Sequence, residues 1–168
     1  MTMKLKLELR LLLFVLIALA LTILPLPAVF SGVRPAWVLL VILYAQFFLP
    51  NYFSVWAVVL LGFFMDTLQA TLLGEHVFSF VLTTWLASNL TRRFSMFLLP
   101  QQIAWITMLC FIYRFTLYLI NRYQTLNDTL LMVLGTTILS LMIWPWLLVI
   151  FNHSFRPRKQ KLEQIYTY

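Results

Sequence analysis
Charge, cysteine, glycine and histidine are all scarce in this 168-residue chain, and each scarcity closes off a class of function. Only 10% of the residues are charged against 62% hydrophobic, too few to cover a water-soluble core, so the chain is read as an integral membrane protein. A single cysteine, Cys110, rules out a disulfide framework and a Cys-type zinc site, and is expected to pack in the core. Four glycines supply no phosphate-cradling loop. The acids are Glu8, Asp66, Glu75, Asp128 and Glu163, and the histidines are His76 and His153. No Ser/His/Asp or Cys/His set stands at one depth, and histidines near opposite membrane faces cannot share a metal. The chain is therefore expected to be no enzyme and to carry no metal or cofactor. Twelve basic residues held at a membrane make no nucleic-acid surface. Because no polar linker, low-complexity stretch or clear internal repeat occurs, residues 1–168 are expected to form one transmembrane domain.

Apolar runs are what the chain has in abundance. Crossing a core of about 30 Å takes about 20 helical residues. Six segments qualify, at about 9–30, 35–49, 52–70, 77–90, 100–121 and 129–152. Pro25 and Pro27 end or kink the first, Pro35 suits the first turn of the second, Pro50-Asn51 makes a turn, and Pro100 opens the fifth. The second segment, about 15 residues long, reaches only about 22 Å, which is short for a helix facing lipid. The fourth is short as well. Lys4, Lys6 and Arg10 ahead of an apolar run resemble a signal peptide, but Pro25-Leu26-Pro27 stands where small cleavage-site residues would be, so the segment is expected to be retained.

Loops rich in Lys and Arg stay in the cytoplasm. Six spans with both termini cytoplasmic put Lys4, Lys6, Arg10, Arg92, Arg93, Arg156, Arg158, Lys159 and Lys161 inside and leave Arg34 and Arg122 outside. Nine against two decides the orientation. The basic tail would be drawn to anionic membrane lipids, at about 1 kcal/mol per charge. Short loops leave almost no extramembrane mass, so the working surface is expected to be lateral, within the bilayer. Trp and Tyr near segment ends, including Trp37 and the Trp144-Pro145-Trp146 bend, suit interfacial anchoring.

Asp66 is the one acid inside a long apolar run. A charge at the bilayer centre costs about 2.5 to 3.5 kcal/mol, so such an acid usually faces protein or water. Gly62 lies one turn earlier on the same face, where its missing side chain lets another helix backbone approach and offer a donor. Asp66 is open to three readings: snorkelling or capping of the next helix near Thr71, a partner-binding or internal polar contact, and a transport site. Arg114 is also intramembrane, and depth permits it to pair with Asp66. Glu75-His76, at a polar turn, is expected to be solvated, and Arg34-Pro35-Ala36-Trp37 to anchor the outer mouth of the second helix.

In order, Arg34-Pro35-x-Trp37-Val38-Leu39-Leu40, Gly62-x-x-x-Asp66, Leu73-Gly74, Gln101-Gln102 and Trp144-Pro145-Trp146 resemble the MreD family of rod shape-determining proteins. The resemblance implies a six-helix, non-enzymatic scaffold in the inner membrane of a Gram-negative cell, within the elongation (Rod) complex that builds lateral cell wall. It implies direct binding to MreC, and work alongside MreB, the RodA glycosyltransferase and a class B penicillin-binding transpeptidase, regulating peptidoglycan synthesis. It also implies a fold similar to the S components of energy-coupling-factor transporters, which leaves a vitamin-binding or transport subunit as the alternative. Gly62, Asp66, Leu73 and Gly74 carry over as matched positions. Arg34, Pro35, Trp37 and Arg114 complete the candidate set of partner-binding or structural polar contacts, and Arg114 lies outside the family pattern.

Overall fold
The computed structural model describes residues 3–24, 34–50, 54–94, 96–121 and 130–155. Within them the chain runs α1 (Met3–Ile23), α2 (Trp37–Phe48), α3 (Val55–Gln69), α4 (Glu75–Ser88), α5 (Thr91–Phe94), α6 (Leu99–Asn121) and α7 (Leu130–Phe155), with no strand among the described residues. Pro25, Pro27, Asn51, Arg122, Asp128 and the basic tail from Arg156 lie outside the described residues.

The sequence Val-Leu-Leu-Val-Ile-Leu-Tyr-Ala-Gln-Phe is apolar on every face, and a helix of that kind has to be surrounded. Val38 to Phe47 of α2 are accordingly all buried, with α1, α4, α5 and α7 packed around them. At 12 residues α2 is about 18 Å long, and its length is no obstacle because its neighbours, not lipid, cover it. The remaining pairs are α3 with α4, α4 with α6, α6 with α7 and α1 with α3.

The outer surface is apolar and the interior partly polar, the reverse of a water-soluble bundle. Leu12, Leu16, Trp56, Leu60, Phe64, Trp85, Met142, Trp146 and Val149 are exposed, while Gln46, Asp66, Glu75, His76, Thr83, Gln102, Thr136 and Ser140 are buried. Polar side chains without access to water must be satisfied internally. Thr83, Thr84, Thr116, Thr137 and Ser140 do so by donating to the carbonyl four residues earlier. Among the described residues two helices, α6 and the Leu130–Phe151 stretch of α7, are long and apolar enough to cross a membrane.

The two ends of the bundle differ. At one end α5 inserts Phe94 against Phe47, their rings stacked with centroids 3.8 Å apart, and Phe48, Phe97 and Trp144 pack edge-on to it. Trp144 is fully buried in this cluster. Only Trp146 of the Trp144-Pro145-Trp146 bend points outward, which corrects the expectation of two anchoring rings. Gln102 ties the start of α6 to the same end by donating to the Phe97 carbonyl at 2.9 Å. The opposite end gathers the finish of α1, α3 and α6 with the start of α2, α4 and α7, and is polar.

Candidate functional site
The polar end is built around Asp66, in the last turn of α3 and fully buried. Helix α3 stops just beyond it: Ala70 takes a left-handed conformation (φ 51°), and the Asp66 carbonyl accepts from the N–H groups of Ala70 and Thr71. The chain then turns at Gly74, whose φ of 102° favours glycine, and enters α4 with backbone N–H groups facing back toward α3. The Asp66 carboxylate receives them. Oδ2 accepts from Gly74 N at 2.7 Å, and Oδ1 accepts from His76 N at 2.9 Å and from the Thr71 hydroxyl at 3.3 Å. His76 Nδ1 stands 2.8 Å from the same Oδ1.

Close packing makes this geometry possible. A Cβ placed on Gly62 would lie 2.6 Å from the Val77 Cα and 2.8 Å from its N, so only glycine lets α4 cross α3 one turn below the carboxylate. Glu75 and His76, expected to be solvated, are instead buried because α4 begins with them against α3 and α6. Behind them the Phe80 ring stacks on Tyr113 of α6 at 5.1 Å.

Arg114 does not meet Asp66. Its Nη2 donates to the Arg34 carbonyl at 2.6 Å, and its guanidinium stands 5.9 Å from the Tyr113 ring centroid. The pairing that depth permits is not made: Arg114 meets the Arg34 carbonyl, while the Asp66 carboxylate meets His76 and backbone N–H groups. Arg34 donates through Nη1 to the Thr22 carbonyl at 3.3 Å. Pro35 is buried, Trp37 is partly buried and bonds its N–H to the Pro35 carbonyl, and Ala36 N–H donates to Ser140 Oγ of α7 at 3.1 Å. Leu73 is exposed at the turn.

A cavity of about 280 Å³ occupies this end, lined among others by Arg34, Trp37, Glu75, His76, Tyr113 and Arg114. The candidate residues thus fall into two groups. Gly62, Asp66 and Gly74 form the α3–α4 junction, while Arg34, Pro35, Trp37 and Arg114 border the cavity. His76, Thr71, Tyr113 and Ser140 complete the arrangement. The ten-residue interval from Asp66 to His76 was the available signal for the His76 contact, but spacing across a turn does not define which way the ring points. Among the described residues no three of His, Cys, Asp and Glu converge as metal ligands.

An all-helical bundle with its polar groups turned inward and leucine, phenylalanine and tryptophan turned outward is a membrane protein. The family model described as rod shape-determining protein MreD matches residues 3–154, and the chain belongs to that family. Membership assigns it a part in determining rod shape. No curated protein and no solved structure matches the chain.

Proposed function
We propose that the protein is a six-span scaffold of the inner membrane, with both termini cytoplasmic, that binds the transmembrane helix of MreC and through it regulates peptidoglycan synthesis by the elongation complex. The observation that carries this reading, beside the family match, is the division of the molecule into a partly polar interior and an apolar outer surface. A partner that meets such a protein inside the bilayer meets apolar helix faces, and association there proceeds by close packing. Packing MreC against one face would set its orientation and copy number, and so bias the RodA glycosyltransferase and the transpeptidase toward activity, with MreB coupled through the complex. The Asp66 junction and the Arg34–Arg114 contact serve this scaffold as internal polar contacts that hold α2, α3, α4 and α6 in place. Affinity purification from native membranes tests the reading: MreC should copurify, and loss of the gene should round the cells. Rods that persist without the gene, or MreC absent from the purified complex, would overturn it.

The vitamin-carrier alternative has one observation in its favour, the polar cavity bordered by Arg34 and Arg114. Thermal-shift measurements with a set of vitamins test it, and stabilisation by none removes it.

A further inference from the structure
The cavity has a cationic side. Arg34, at the start of α2, and Arg114, on α6, both line it. Arginine stays charged in any protein environment, so each brings a full positive charge to this space. Their hydrogen bonds run to the carbonyls of Thr22 and Arg34, which are neutral. Among the described residues neither guanidinium makes an ion pair within 4.0 Å with a carboxylate. Arg114 Nε is buried with no hydrogen-bond partner. Asp66 makes no ion pair with either guanidinium, and its oxygens are bonded to Gly74, His76 and Thr71. Glu75 on α4 lines the cavity as well, so among the described residues two fixed cations line this space against one carboxylate. Charges kept within a membrane protein ordinarily find compensation, and a planar guanidinium matches phosphate or carboxylate oxygens in a fork.

A second cavity of about 220 Å³ shows how such a group would arrive. It is lined by Thr22, Ile23, Arg34, Met65, Leu68 and Gln69, and shares Thr22, Arg34, Met65 and Gln69 with the first. The space therefore continues sideways between the ends of α1 and α3. There Ile23, Leu24 and Leu68 are exposed on the apolar outer surface. A ligand with a charged head and an apolar chain fits both parts, the head at the two arginines and the chain along the α1–α3 gap.

We infer that the cavity is a binding site for a phosphate-type anionic headgroup, held by Arg34 and Arg114 and admitted from the bilayer between α1 and α3. A soluble phosphate monoester has the same head chemistry, and the lateral opening favours the lipid-borne form. The inference rests on the second reading only in requiring the cavity to accept a small molecule. It needs no transport, and it stands whether or not MreC docks on the outer faces.

Native mass spectrometry of the full chain in mild detergent tests it, with phosphatidylglycerol, phosphatidylcholine and glycerol 1-phosphate as probes. Phosphatidylglycerol should be retained at least tenfold more strongly than phosphatidylcholine. Arg34→Gln and Arg114→Gln should each reduce that retention at least tenfold, and Leu68→Trp at the lateral opening should weaken the lipid while sparing glycerol 1-phosphate. Equal retention of the two lipids, or wild-type retention by both arginine variants, overturns the inference. Binding of glycerol 1-phosphate without phosphatidylglycerol overturns lateral admission. Should Arg114→Gln fail to fold, Arg34→Gln and displacement of bound lipid by excess glycerol 1-phosphate decide the matter. Lipid binding without vitamin binding supports the inference while removing the carrier reading, and the converse result does the opposite.

Discussion
Asp66 and His76 meet twice: the carboxylate accepts from the backbone N–H of His76 at 2.9 Å and stands 2.8 Å from Nδ1 of its ring. With Gly74 N–H at 2.7 Å, the end of α3 and the start of α4 are joined through one side chain. Helix N-termini carry N–H groups without partners inside the helix, and a carboxylate placed there satisfies several together.

Asp66→Asn keeps the shape of this junction but replaces one acceptor oxygen with a donor. Whichever way the amide turns, a donor then faces Gly74 N–H or the His76 pair. The expected cost is about 1 to 3 kcal/mol, the usual penalty for a buried polar group left without its partner. Thermal unfolding in detergent reads it, and Asp66→Asn unfolding with wild-type stability contradicts the assigned geometry.

The two glycines at the junction should fail for different reasons. Gly62→Ala drives a methyl into the Val77 backbone, so α3 and α4 must separate, at about 1 to 3 kcal/mol. Gly74→Ala meets nothing within 4 Å, and its cost, about 1 to 2 kcal/mol, comes from the left-handed φ. Gly74→Asn, which tolerates that conformation, should recover part of the loss, while Gly62→Asn should be worse than Gly62→Ala. Unfolding midpoints of the four variants separate the two mechanisms.

Ser140→Ala tests how α2 is held at its start. Ser140 is fully buried and accepts the Ala36 N–H, so the variant strands a backbone donor in the core and should lose about 1 to 3 kcal/mol. Ser140→Cys, a weaker acceptor of similar size, should lie between. Hydrogen exchange at Ala36 should rise in Ser140→Ala and leave the α6 core amides unchanged.

Phe94→Ala opens the aromatic end. Phe94 is fully buried among Phe47, Phe48, Phe97 and Trp144, and its removal should cost about 3 to 5 kcal/mol. Phe94→Leu, which keeps most of the volume, should cost less. A loss below about 1 kcal/mol for Phe94→Ala would show that α5 does not close this end.

How much of this was legible follows from what local sequence encodes. Helical character and an outward-facing apolar surface come directly from composition, and Gly62 one turn before Asp66 signals a close backbone approach because helical spacing determines who shares a face. Glu75 and His76 misled because polarity at a turn is the same in sequence whether the turn is wet or buried, and only the crossing of α4 over α3 distinguishes them. Depth along a helix permits Arg114 to meet Asp66 but says nothing of azimuth, and Arg114 meets the Arg34 carbonyl. Trp144 and Trp146 are two residues apart on a helix and so point in different directions, one into the Phe94 cluster and one outward. The cavity has no linear signature, since its lining comes from six separate segments.

In the proposed scaffold MreC is met laterally, on the apolar helix faces within the bilayer. A photo-crosslinking residue placed in turn at the exposed positions Leu12, Leu16, Trp56, Leu60, Phe64, Phe111, Phe115, Ile138 and Met142 in living cells tests it most directly. MreC adducts are expected at a contiguous set on one or two neighbouring helices, and none from the buried position Leu40. Absence of MreC adducts at every lateral position would contradict it.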